Sequence, residues 1–175
     1  FGVVLTIVPD FSEHLSIKNK GLFFMVFMFA SIAIRVFAGK ASDRFGRIPV
    51  LRIALVLMII SLVIIGFSRS VTVLLIASAL FGFANGMNTP TIFAWTIDLS
   101  DDRFRGRAIA TMYISLEIGI GVGALVSGWI YDNDAANFKY AFWASAFSSF
   151  LALCYLIWKT GNPTKSRNYS IGQSA

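Results

Sequence analysis

Glu117 is the residue most able to do chemistry, in the run Leu116-Glu117-Ile-Gly119-Ile-Gly121-Val-Gly123. It lies about ten residues into an apolar segment, so roughly 15 Å deep if that segment crosses a membrane as a helix. An ionised carboxylate there costs several kcal/mol unless it is paired or faces water. Tyr113 and Gly121 fall one turn to either side of it on the same face. Two readings are open: a protonatable group in an aqueous cavity, or a carboxylate bonded to a neighbouring helix. Asn85 and Asn88 are three apart, hence on one face, near the middle of another apolar run. A second constellation is Gly39-Lys-Ala-Ser-Asp43-Arg44-Phe-Gly46-Arg47. Gly39 and Asp43 are one helical turn apart. Gly39 admits a neighbouring helix, and Asp43 can then accept bonds from that helix's N-terminal amides. Gly46 allows a tight reversal. Arg44 and Arg47 hold the loop on one side of the membrane.

These residues must be positioned by helices. The chain has 175 residues, 57% apolar and only 14% charged, with a mean hydropathy of +0.73. A soluble domain is about half apolar and a quarter charged. A soluble enzyme, a disordered tail and a disulfide scaffold are all disfavoured. Cys154 is alone inside an apolar run, so it forms no disulfide within the chain. Five apolar segments, about 21–41, 48–68, 71–97, 106–131 and 139–158, are each long enough to cross. Backbone groups in lipid must bond internally, and no alternating pattern suggests a barrel, so the segments read as helices. Residues 1–9 read as the tail of a helix whose start is missing, residues 10–20 as an external loop, and residues 159–175 as a polar cytoplasmic tail without regular structure. The molecule therefore reads as a fragment, or as the second half of something longer.

Basic residues set the orientation. Arg35, Lys40, Arg44, Arg47, Arg52, Arg103, Arg105, Arg107, Lys159, Lys165 and Arg167 collect on one side, and Lys18, Lys20, Arg69 and Lys139 on the other. Eleven against four makes the first side, with the C-terminus, cytoplasmic. Trp95 and Trp158 then lie near inner helix ends, Trp129 and Trp143 near outer ones, as an aromatic belt requires. The net charge of +6 is explained by cationic loops rather than by nucleic acid. Spans two and five read as lipid-facing walls; segment 53–66 is almost purely aliphatic, with Arg52 snorkelling outward. Arg35 reads as an ion-pairing or snorkelling residue two turns from Asp43. Spans three and four carry small-xxx-small pairs, Gly82 with Gly86 and Gly119 with Gly123, which let helices approach closely. Pro90 removes a backbone donor from span three and favours a kink.

The Gly39–Arg47 pattern closely resembles the signature loop G-x-x-x-D-R-x-G-R of the major facilitator superfamily. Arg103-Phe-Arg105-Gly106-Arg107-Ala resembles the R-G-x-A loop of such transporters, and Leu116–Gly123 their glycine-rich eleventh helix. Leu22-Phe-Phe24, with Arg35 and Gly39 beyond it, is similar to their eighth helix. The likeness covers about residues 1–158. At Ile48 many members carry a second basic residue instead. The resemblance implies the C-terminal six-helix half, helices seven to twelve, of an all-α polytopic bundle. A short echo, Ala38-Gly39-x-x-x-Asp43 and Ser127-Gly128-x-x-x-Asp132, falls at opposite membrane faces, as an inverted three-plus-three repeat would produce.

The resemblance further implies a secondary transporter in the cell (inner) membrane, moving a small solute by alternating access against an N-terminal six-helix half. Proton coupling and efflux follow the same likeness. Gly39, Asp43, Arg44, Gly46, Arg47 and Arg105 are then expected to gate. Asn85, Asn88, Tyr113 and Glu117 are expected to line the cavity, with Glu117 as the proton site. No cofactor or metal is called for. One alternative is a non-transporting membrane subunit or scaffold, which would need neither Asp43 nor an intramembrane acid. An intramembrane enzyme is disfavoured. The only histidine is His14, in the opening loop, and the spans hold no paired carboxylates or metal-ligand cluster.

Overall fold

The computed structural model describes residues 1–14, 19, 21–132 and 134–161. Six α-helices follow one another: α1 (Gly2–His14), α2 (Leu22–Phe45), α3 (Arg47–Phe67), α4 (Val71–Leu99), α5 (Arg105–Tyr131) and α6 (Phe138–Gly161). Short 3-10 turns, Asp102–Phe104 and Ala135–Asn137, lead into α5 and α6. The described residues contain no strand. Helices α2 to α6 are each long and apolar enough to span a bilayer. The chain is an all-α bundle built for lipid, where a helix satisfies its own backbone.

The first helix does not end at Pro9, as the sequence suggested, but continues to His14. A proline removes one N–H from the ladder, which leaves only the Leu5 carbonyl, near the helix start, without its donor. Tertiary contact holds the last turn. Phe11 is buried and meets Phe138 edge-on at 5.0 Å and Phe142 at 5.9 Å. The polar residues around it had masked that anchor. Most of the remaining loop, residues 15–18 and 20, lies outside the described residues, as does the tail from 162 onward. Helix α4 likewise runs through Pro90 without a break. One turn from the proline, the buried Thr91 hydroxyl donates to the Met87 carbonyl at 2.8 Å.

Most helix contacts follow a two-fold exchange of the first three helices with the last three, although the α4–α5 contact has no comparable α1–α2 counterpart. α4 lies along α2, and its counterpart α1 lies along α5. α3 packs on α4 as α6 packs on α1, and α2 meets α3 as α5 meets α6. The α3–α6 contact maps onto itself. Successive helices alternate in direction, so a shift of three reverses each helix, and the repeat is inverted.

Small residues make the close contacts in both copies. On α4, Ser78, Gly82 and Gly86 form a stripe at every fourth position. Ser78 donates to the Phe23 carbonyl of α2 at 2.6 Å. A Cβ on Gly82 would come within 2.5 Å of the Phe27 carbonyl oxygen, and one on Gly86 within 2.5 Å of that of Ser31. In the other copy Gly2 of α1 takes this role. A Cβ there would sit 2.1 Å from the Ile120 carbonyl oxygen of α5. A Cβ on Gly123 would reach the Gly2 Cα at 4.0 Å, but one on Gly119 would meet nothing within 4 Å. Among the described residues, Gly119 and Gly123 are thus not covered as one stripe. Both residues instead line a cleft of about 360 Å³ between α1, α3, α5 and α6.

Gly46 is the only residue between α2 and α3, at φ 91° and ψ 160°. That region is essentially closed to residues with a Cβ. Gly46→Ala is expected to cost about 1–3 kcal/mol through backbone strain, read as a lowered thermal midpoint in detergent. An unchanged midpoint would show that the reversal tolerates another path.

Candidate functional site: an arginine fork and an open intramembrane acid

At one end of the bundle the reversal at Gly46 starts α3 with Arg47, and the C-terminal turn of α4 brings Asp98 beside it. Arg47 Nε donates to Asp98 Oδ2 at 2.8 Å. Its Nη1 donates to the Ser42 hydroxyl at 3.0 Å and also to Asp43 Oδ1. One guanidinium thus joins three helices: α2 through Ser42 and Asp43, α3 through its own backbone, and α4 through Asp98. A planar fork with five donors suits this task, and a lysine cannot reproduce it. The Arg47 side chain is 22% exposed, Asp98 49% and Asp43 71%, so each pair is screened and individually weak.

The structure corrects the expectation that Asp43 accepts from a neighbouring helix's amides. Among the described residues its partner is Arg47. A Cβ on Gly39 would meet nothing within 4 Å, so none of the described residues fills the space it leaves. Arg44 lies over the Phe45 ring at 5.6 Å, and Arg105 pairs locally with Asp102 at 2.7 Å. Neither joins the fork. Asp98 was missed from sequence. The available signal was a lone carboxylate ending an apolar run, on the side where alternating helices also place Asp43 and Arg47.

Lys159 of α6 lies 5.6 Å above the Trp95 ring of α4, which fixes the α6 C-terminus at the same end as the fork. Half-buried Arg52, one turn further along α3, keeps a buried Nε without a partner among the described residues.

Glu117 sits near the middle of α5, twelve residues or about 18 Å from its start. It is exposed and makes no hydrogen bond or ion pair among the described residues. None of the apolar stretch of α5 that would cross the bilayer is buried in this chain. Tyr113, one turn away, is also exposed and meets Phe93 of α4 edge-on at 5.0 Å. Asn85 and Asn88 are half-buried on α4 and likewise make no hydrogen bond among the described residues. None of these four residues lines the cleft between α1, α3, α5 and α6 or the cavity at the ends of α1, α3 and α6. Two helices therefore present polar groups that make no hydrogen bond or ion pair among the described residues. The described residues hold no group of side chains able to bind a metal.

Comparison with known proteins identifies the family. "Multidrug resistance protein MdtG" of Proteus mirabilis is 30% identical over 168 residues, covering 90% of this chain and 40% of that protein. "Multidrug resistance protein 1" of Bacillus subtilis is 24% identical over 159 residues, 89% of this chain and 40% of that protein. A "Probable 4-methylmuconolactone transporter" of Cupriavidus pinatubonensis is 30% identical over 120 residues, 66% of this chain and 28% of that protein. The chain thus spans about 40% of the length of the multidrug relatives named here. The sequence profile of the Major Facilitator Superfamily matches residues 1–173. With that match over nearly its whole length, a bundle of five membrane-spanning helices and an inverted repeat, the chain belongs to the major facilitator superfamily.

Proposed function

We propose that this chain works as one half of a secondary active transporter that moves a small solute by alternating access, coupled to protons and directed outward. The observation that carries the reading is Glu117. A carboxylate at mid-depth, exposed and unpaired in its own bundle, is unfavourable against hydrocarbon. It must face either water or another protein surface. A second six-helix bundle against α5, enclosing an aqueous cavity, supplies both. Tyr113, Asn85 and Asn88 then contribute hydrogen-bonding groups, and Glu117 takes up and releases the proton. Gly39, Asp43, Arg44, Gly46, Arg47 and Arg105 belong to the gate at the cytoplasmic end in this reading. The basic excess supports an inner-membrane placement with the C-terminus in the cytoplasm. The multidrug names of two relatives support efflux.

The test is efflux of ethidium, a lipophilic cation, from cells making the intact protein. Glu117→Gln is expected to reduce the part driven by the proton gradient by an order of magnitude or more. It should leave the amount inserted in the membrane unchanged. Flux that still follows the gradient in the variant rejects the coupling role. Loss of neither flux nor stability in both Glu117→Gln and Asp43→Asn would favour a scaffold instead.

A further inference from the structure

We infer that the cavity at the end of the bundle opposite Arg47, between the ends of α1, α3 and α6, holds the headgroup of an anionic phospholipid. Its volume is about 470 Å³. Its walls are aromatic: Phe11, Phe67, Phe138 and Trp143. Its polar side chains include Arg69, Lys139 and His14, and no carboxylate lines it among the described residues. Neither Arg69 nor Lys139 makes an ion pair among the described residues; Lys139 only lies 4.9 Å over the Tyr140 ring. Arg69 and Lys139 are two of the four cations that run against the basic excess of the other end. Gating and coupling make no use of them.

Local packing holds the cavity in shape. Gly66, at the end of α3, lets α6 come close. A Cβ there would lie 2.7 Å from Trp143 Nε1 and 3.5 Å from the Lys139 carbonyl oxygen. Trp143 packs on Phe67 at 4.9 Å and on Tyr140 at 6.0 Å. Helix α6 begins at this cavity, so its positive dipole end adds to the two cations.

A phosphate is the anion this arrangement suits, and its surroundings select a lipid over a free ion. Exposed Phe67 and Tyr140 and half-buried Trp143 flank the site at helix ends, where aromatic side chains sit at headgroup level. Below it the outer flank is apolar, with Ile60 and Val56 exposed on α3 and Phe147, Phe150 and Leu151 on α6. Acyl chains can lie along that flank while the phosphate stays at the basic rim.

The intact protein, purified in detergent, is titrated with phosphatidylglycerol, with phosphatidylcholine and with inorganic phosphate. Thermal unfolding and native mass spectrometry of retained lipid are the readouts. Phosphatidylglycerol is expected to raise the midpoint of the wild type above the value in phosphatidylcholine. In Arg69→Gln/Lys139→Gln the apparent affinity should fall about thirtyfold, since each of the two interfacial cations contributes about 1 kcal/mol and about 1.4 kcal/mol is tenfold. One fewer lipid should be retained, and Arg69→Lys should keep the effect. Equal retention and an equal shift in the double variant would overturn the site. An equal shift with inorganic phosphate would overturn the lipid assignment. Should the double variant fail to fold, the wild-type titration and single Arg69→Gln decide. No preference for phosphatidylglycerol, or no loss in Arg69→Gln, overturns the proposal.

Discussion

Gly86→Leu is expected to prevent stable assembly of α4 against α2. A Cβ alone would stand 2.4 Å from Ile34 Cγ2 and 2.5 Å from the Ser31 carbonyl oxygen, with the Ser31 Cα at 3.0 Å. Ile34 can rotate away, but the Ser31 backbone cannot without displacing α2. Overpacking a tight contact costs about 1–3 kcal/mol and occasionally more. The clash here is with main chain, and leucine adds three further carbons. In a membrane the loss is not recovered elsewhere, because close van der Waals packing and interhelical bonds drive helix association. The same separation brings the Ser78 hydroxyl within 2.6 Å of the Phe23 carbonyl two turns away, so that bond is lengthened too. The expected result is a fall of ten degrees or more in thermal midpoint and a smaller monodisperse fraction in detergent. Gly106→Ala, where nothing lies within 4 Å, is the control and should behave as wild type. A Gly86→Leu protein as stable as that control would show that α2 and α4 are not held by this stripe.

The two small-residue pairs show how far pattern reading reaches. From sequence, Gly82 with Gly86 and Gly119 with Gly123 are equivalent motifs. The first pair is closed upon by α2, whereas Gly119 opens onto a cleft. Spacing defines a face of a helix but not what covers it. The partner of α5 is in part Gly2, whose role no local motif announces. The five apolar runs were legible because hydrophobic length is set by the bilayer itself. The end of α1 was not, because Phe11 is fixed by Phe138 and Phe142, over a hundred residues away. Asp98 escaped for the same reason: its partner Arg47 is 51 positions distant. Glu117 stood out because a carboxylate inside an apolar run is expensive wherever the chain goes, and Asp43 because it sits in the Gly39–Arg47 pattern.

Arg47→Ala is expected to cut transport on the order of tenfold or more while moving the thermal midpoint by no more than a few degrees. The pairs it breaks are partly exposed, and such pairs contribute about 0.2–1 kcal/mol each. That is too little to hold the bundle together, which rests on α2–α4 and α3–α6 packing. It is enough to bias two arrangements of nearly equal free energy, where 1.4 kcal/mol changes a population ratio tenfold. Removing the guanidinium also leaves Asp43 and Asp98 with no cation between them, so the ends of α2 and α4 repel where they had been tied. Arg47→Lys should be intermediate, since an ammonium cannot hold Ser42, Asp43 and Asp98 in one planar fork. Adding Asp98→Asn to Arg47→Ala should restore part of the flux by relieving the repulsion, so the double-mutant cycle gives a non-additive term. Ethidium efflux and thermal unfolding, measured on the same preparations, separate the two effects. Wild-type flux in Arg47→Ala would remove the fork from the transport cycle. A loss of flux matched by loss of folded protein would make Arg47 a structural tie instead.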